Sequence, residues 1–131
     1  MILDTEFLIS LRAEEEAALE LATELEASGV PTRVPTIVIE ELYVSVGAGS
    51  QSDANARDFE ALVENKPVVE LDDSIARRAG ALEGAHLASD SDPNLGPGDA
   101  IVAATGLTLN EPVVTNDGDF QSVDGLRVEL Y

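Results

Sequence analysis

Short apolar runs and longer amphipathic stretches alternate along this chain. Met1–Leu3, Val30–Val34, Pro67–Leu71 and Pro112–Thr115 are brief, largely apolar runs bounded by turn residues, and each reads as a short strand, the last of them buried in the middle of the sheet. Leu126–Leu130 reads as an edge strand. Between them, apolar residues recur at helical spacing. FLISL after Asp4 opens one helix, and Arg12–Ser28 reads as an amphipathic helix with Ala17, Leu21 and Leu25 inward and Gly29 as its C-cap. Glu14, Glu15 and Glu16 are placed in its first turn, where the helix dipole favours negative charge. Pro35-Thr36 opens the helix TIVIEELYVSVGAG, and Gly47–Ser52 breaks the pattern. Asp53–Asn65 follows as a helix packing through Ala54, Phe59, Leu62 and Val63, and Asp72 caps the helix DSIARRAGALEGAHLA. Ala88–Gly98 is a loop rich in Ser, Asp, Pro and Gly. The run AIVAAT behind Asp99 is apolar on every side, which places that helix in the middle of the domain. Strands alternating with amphipathic helices, with no Asn-Gly hairpin between adjacent strands, predict an α/β sandwich with a central parallel sheet.

The 131 residues make one domain spanning 1–131, with no internal repeat and no linker. Hydrophobic residues at 44% exclude a disordered acidic tail, while 4% aromatics and no Trp leave the core to Val, Ile, Leu and Ala. The absence of Cys removes disulfides, thiolate nucleophiles and zinc ribbons together. No apolar run approaches the roughly 20 residues that span a bilayer, and MILDTEFLISL carries an acid early and has no basic leader. The expectation is a soluble, cytoplasmic protein with no membrane partner. Net charge changes the picture most. There are 26 acids against 7 bases, a balance of −19, and Lys66 is the sole lysine. Such a surface repels itself in dilute buffer, where the Debye length is about 10 Å at 0.1 M salt against about 3 Å at 1 M. The composition is that of a protein adapted to a salt-rich, halophilic cytoplasm. Most of these acids are a solvated face, so only position can mark one as functional.

By position, five acids stand out. Asp4 follows the first strand, at the carboxyl end where open parallel sheets bind ligands, and it is equally placed to cap the next helix. Glu41 has Ile37, Val38, Val44 and Ser45 three and four residues away, so it lies on or beside the core stripe; Glu40 is less clearly inward. Asp99 starts the apolar helix, and Asp117 and Asp119 follow the strand Pro112–Thr115. All carboxyl ends of a parallel sheet point one way, so Asp4 and Asp117 share a mouth, and Asp99 lies near it. Glu6 reads as exposed, the Arg77-Arg78 pair as partners of surface acids, and His86 as a surface or packing residue. Asp90 and Asp92 do not open a calcium loop, because Leu95 and Ile101 stand where that loop needs Gly and Glu. Clustered carboxylates need a counter-charge. Oxygen donors without His or Cys select Mg²⁺ or Mn²⁺ before zinc, and such an ion polarises a phosphoryl oxygen and activates a water. Phosphodiester hydrolysis is the chemistry this set suits.

The segments MILDT, IVIEELYVSVG, GDAIVAAT and VVTNDGDF resemble, in order and spacing, the acidic motifs of PIN-domain nucleases, in particular the VapC toxin ribonucleases of type II toxin–antitoxin modules. The resemblance spans nearly the whole chain. It implies a PIN-like three-layer α/β/α sandwich and a Mg²⁺- or Mn²⁺-dependent endoribonuclease acting on an RNA substrate through metal-activated water. It makes Asp4, Glu41, Asp99 and Asp117 the catalytic, metal-holding acids, Asp119 an additional metal ligand and Thr115 a supporting hydrogen-bonding residue. It also implies a homodimer inhibited by a VapB-like antitoxin. Glu6 departs from the family, which favours a small polar residue there, and Glu40 leaves the helical glutamate ambiguous by one position; Glu41 is preferred because Leu-Tyr follows it. At −19 the protein's RNA contacts would rest on metals, backbone amides and a few arginines such as Arg12, Arg33, Arg77 and Arg78. Weak, short-footprint binding to an RNA loop follows. Two other readings stand beside this one. A haloacid-dehalogenase-type phosphatase needs a second Asp where Glu6 stands and a lysine that only Lys66 supplies. A non-catalytic acidic domain would bind metal or protein without turnover.

Overall fold

A computed structural model describes residues 1–131. Its strands are β1 (Ile2–Leu3), β2 (Val34–Pro35), β3 (Val68–Val69), β4 (Val113–Thr115) and β5 (Val128–Leu130), and its helices are α1 (Thr5–Arg12), α2 (Glu16–Ala27), α3 (Thr36–Ala48), α4 (Ser52–Val63), α5 (Asp73–Ala88) and α6 (Pro97–Leu109). Every strand pairing is parallel. The order β1-β4-β5 forms one sheet and β2-β3 a second, and a single bridge between Ile2 and Arg33 joins them. The result is the expected three-layer α/β/α sandwich with a central parallel sheet. No helix is long and apolar enough to cross a membrane.

The core lies where the apolar runs predicted it. Ile2, Val34, Val113 and Val114 of the strands are wholly buried, against Leu8 of α1, Val38 of α3 and Val102, Ala103 and Ala104 of α6. Helix α6 can be apolar all round from Ala100 to Ala104 because that stretch is buried but for the half-buried Ile101, while Thr108 and Leu109 at its end are exposed. Asp72 caps α5 as expected, its Oδ1 accepting from the Ile75 backbone N–H at 2.8 Å. Gly29 follows the last turn of α2 with φ +67°, and Asn110 closes α6 at φ 53°.

Three expectations are corrected. The helix predicted over Arg12–Ser28 is two elements: α1 runs on to Arg12, the chain reverses at Glu14 with φ 57°, and α2 begins at Glu16. Only Glu16 therefore lies in a first turn, and Glu15 is the cap. The inward stripe of α2 is Ala18, Leu21 and Leu25 rather than one starting at Ala17, which is exposed. Four-residue steps overshoot a full turn by about 40°, so 17-21-25 winds off the face while 18-21-25 stays on it. The strands are also shorter than their apolar runs. Of Val30–Val34 only Val34 pairs in a strand, and Pro31, which has no N–H to give, offers its carbonyl to the Met1 ammonium instead.

Glycine 106 sets how closely α6 approaches β4. A Cβ there would stand 2.9 Å from Leu126 Cδ1, 3.0 Å from the Glu111 carbonyl oxygen and 3.0 Å from Val113 Cγ2, in a packed interior where the backbone cannot yield. Gly106→Ala is expected to lower thermal stability by roughly 1–3 kcal/mol despite alanine's better helix propensity. A melting curve superimposable on the parent's would mean that the α6–β4 contact is looser than described.

Candidate acidic active site

Parallel pairing brings the carboxyl ends of β1 and β4 out side by side, with Leu3 opposite Val114. The next residues in register are Asp4 and Thr115. Asp4 is 4% exposed, and each of its carboxylate oxygens is held: Oδ1 accepts from the Thr5 backbone N–H at 2.8 Å, capping α1, and Oδ2 accepts from the Thr115 hydroxyl at 2.8 Å. Capping and a place at the sheet mouth thus hold together. The same Thr115 oxygen accepts from the Asp117 backbone N–H at 3.0 Å, and Asp117 Oδ1 accepts from the Asp119 N–H at 2.9 Å, where it caps the 3₁₀ turn Gly118–Ser122. One hydroxyl therefore ties the acid after β1 to the acids after β4.

Two helices supply the remaining carboxylates. Glu41 is half-buried and its Oε1 accepts from the Thr5 hydroxyl at 2.9 Å, whereas Glu40 is exposed. This geometry turns Glu41, not Glu40, toward Asp4. Of the neighbours that predicted its position, Val38 is buried but Val44 is 59% exposed, so Glu41 sits at the margin of the core. Asp99 lies in the first turn of α6, behind Pro97 and Gly98, where the helix dipole favours an anion.

These acids lie within electrostatic reach of one another. Burial pushes the Asp4 carboxyl up to about 6, against the lowering pull of its bonds to Thr115 and Thr5, with Asp99 and Glu41 raising it further. Burial likewise raises Asp99 to about 6, helped by the charges of Asp117, Glu41, Asp119 and Glu6. Asp4, Glu41, Asp99, Asp117 and Asp119 are thus brought into one mutual field. None of the chain's ion pairs reaches them: Met1 and Arg33 go to Glu111, Arg12 to Asp58 and Arg77 to Asp73. Carboxylate oxygens alone are the donor set of a hard divalent cation. As they stand, no three Asp, Glu or His side chains close to ligating geometry. Asp119 is exposed and Asp117 half-buried, its Oδ1 held by the Asp119 N–H.

Other expectations fall differently. Arg12 is engaged by Asp58 and Asn55 and lies over the Phe59 ring, Arg33 is held by Glu111 at 2.7 Å, and Arg77 pairs with Asp73 on an exposed face. Three of the four arginines expected to meet RNA thus already have partners within the chain. Arg78 reaches only the Thr108 hydroxyl, at 3.4 Å. His86 is buried with Nδ1 2.9 Å from the Pro93 carbonyl oxygen, a packing residue that ties down the loop before α6. Sequence reading passed over Thr5 and Tyr131. Tyr131 packs edge-on against Phe7 and donates to the Ser10 hydroxyl at 3.2 Å. Burial raises its phenol, partly offset by the Ser10 bond, and Asp4 and Glu6 contribute to the rise. An Asp-Thr pair at a strand end was the available signal for Thr5; nothing local marked Tyr131.

The sequence matches the PIN domain family over residues 1–126. It is 33% identical over 112 residues to ribonuclease VapC5 of Mycobacterium tuberculosis, covering 82% of each chain. Among solved structures, the fold superposes on that of VapBC2 from Rickettsia felis, crystallised bound to a DNA fragment from its promoter, with a TM-score of 0.87 at 17% identity, over 99% of this chain and 97% of that one. It also superposes on VapBC-5 of M. tuberculosis, a member of the VapBC family of toxin–antitoxin systems, with a TM-score of 0.68 at 28% identity, over 98% and 94%. The chain belongs to the PIN-domain family and, within it, to the VapC ribonucleases.

Proposed function

We propose that this protein is a Mg²⁺- or Mn²⁺-dependent endoribonuclease that hydrolyses RNA phosphodiester bonds, and that it acts as the toxin of a VapBC-type pair in the cytoplasm. The observation that carries the reading is the uncompensated acid set at the sheet mouth: Asp4 and Asp99, whose carboxyls are raised by burial and by the neighbouring charges, together with Glu41, Asp117 and Asp119, and no cation of the chain among them. The 33% identity to a VapC ribonuclease supports it. Asp4, Glu41, Asp99 and Asp117 would hold the ion, with Asp119 as a further ligand. When bound, the ion polarises the phosphoryl oxygen and lowers the pKa of a water. The chain's own work is placement. Asp4 is fixed at both oxygens, leaving its remaining lone pairs for the cleft. Thr115 holds Asp4 and the Asp117 backbone in register, and Thr5 holds Glu41.

The partners follow from the same reading. A VapB-like antitoxin is the proposed inhibitor, supported by the VapBC-5 complex that the fold resembles; a segment carrying positive charge into the acidic mouth would neutralise it. A homodimer is proposed on family resemblance. With Arg12, Arg33 and Arg77 already paired, phosphate contacts depend on the metals and on backbone amides more than on arginines.

Purified protein incubated with RNA and Mn²⁺ is expected to cleave, and Asp4→Asn and Asp99→Asn are each expected to reduce cleavage at least about a hundredfold, the loss of an interaction made mainly in the transition state. Cleavage by both variants equal to the parent's would remove the mechanism and leave an acidic binding domain. Few phosphate contacts from Lys and Arg mean little counterion release. Activity is therefore expected to persist from low to molar KCl, and a steep loss across that range in folded protein would contradict the salt-adapted account.

Without metal, the raised carboxyls work against the fold. Asp4 takes up its proton near pH 6 when folded and near 3.8 when unfolded. Between those values the native state binds more protons, so this group's contribution falls as pH rises through the window, and the penalty is complete above pH 6. In metal-free protein at pH 7.5, Asp4→Asn is expected to be more stable than the parent by about 1–3 kcal/mol, with the gap closing as pH drops from 6 toward 4. Denaturant titrations across that range, run in chelator, measure it; a variant less stable than the parent at pH 7.5 contradicts it.

A further inference from the structure

We propose that Gly98 is a positioning residue, whose missing side chain leaves the space in which the Glu41 carboxylate sits. The proposal rests on the metal-dependent reading of the acid site and names how one of its ligands is placed. A Cβ built at position 98 would stand 2.9 Å from Glu41 Oε2, 3.2 Å from Cδ and 3.3 Å from Oε1. All three nearest atoms belong to that one carboxylate. On the other side, Oε1 accepts from the Thr5 hydroxyl at 2.9 Å. The carboxylate from α3 is thus clamped between the first residue of α1 and the first turn of α6. A hydroxyl pulls from one side, and a bare Cα permits approach on the other.

Backbone geometry gives no competing reason for glycine here. The left-handed glycines of this chain are Gly29 and Gly125, and Gly98 is not among them. It lies inside α6, directly after Pro97 and before Asp99, where alanine is the better helix former. The atoms in the way are the end of a flexible side chain, so an added methyl moves Glu41 rather than the fold. Gly98→Ala should therefore keep the protein folded while shifting the carboxylate by a few tenths of an ångström or more, away from position 98 and out of the place in which the Thr5 hydroxyl now holds it. Supporting shells of this kind hold ligands in place, and their loss typically weakens metal affinity about 10–100-fold.

The test uses metal-free and Mn²⁺-loaded full-length protein. Four proteins form a cycle: the parent, Gly98→Ala, Glu41→Ala and the double variant. In chelator, Gly98→Ala is expected to raise Tm more in the Glu41→Ala background than in the parent, because the helix gains alanine there without the collision. Equal increments in the two backgrounds overturn the contact. In calorimetric titration with Mn²⁺ alone, Gly98→Ala is expected to weaken Kd about tenfold or more, with cleavage falling in step. An unchanged Kd overturns the positioning role. Gly80→Ala is the control: it lies in α5 with nothing within 4 Å of its Cβ, and should leave the Mn²⁺ Kd unchanged. Parent protein that binds no Mn²⁺ sinks the metal reading itself, and the Tm cycle then still decides whether Gly98 and Glu41 meet.

Discussion

The hydroxyl of Thr115 joins the two halves of the sheet mouth, and the arrangement of the acids depends on it. Asp4 is almost wholly removed from water, and a carboxylate in that position is tolerated only with donors on its oxygens. A backbone N–H at the start of α1 serves one oxygen, and the hydroxyl from the end of β4 serves the other. Because that hydroxyl also accepts from Asp117, a single side chain aligns residues 111 positions apart with the loop that follows. Parallel pairing makes this possible: strands running the same way release their next residues at the same edge.

Around that bond the protein keeps a local excess of like charge. Elsewhere several of its few cations neutralise acids, with Arg33 and the Met1 ammonium sharing Glu111, Arg12 meeting Asp58 and Arg77 meeting Asp73. At the mouth no such partner is provided, and burial, with the neighbouring carboxylates adding to it, drives two carboxyls up to about 6. Sites that pay stability for function commonly look like this, since the strain is relieved when the ligand arrives. The threonines and the bare Cα of Gly98 then matter more than their size suggests, because they decide where mutually repelling groups come to rest.

Much of this was legible along the chain. Apolar runs and helical spacing predicted the parallel α/β sandwich and the largely buried helix behind Asp99, the cap at Asp72 forms where it was expected, and His86 takes the packing half of its surface-or-packing reading. The misplaced features share a cause. The break at Glu14 lies in a run of acids that would suit either a helix start or a surface turn, so charge could not locate it. The engagement of Arg12 and Arg33 was illegible because their partners lie dozens of residues away, Asp58 for Arg12 and Glu111 for Arg33, whereas the surface pairing expected of Arg77 is met four residues away at Asp73.

The sequence alone determined the layers and nominated five acids, because hydrophobic period and strand-end position are local properties of the chain. It preferred Glu41 to Glu40 by its helical neighbours and the Leu-Tyr behind it but left the pair ambiguous by one position, since adjacent residues differ only in which way the helix turns them. Tertiary structure decided between them by bringing Thr5 and Gly98 to one carboxylate and leaving the other in water. Hydrogen-bond partners and close approaches across α1, α3 and α6 arise only once the sheet has fixed the spacing of its helices, and no pattern within one segment records them.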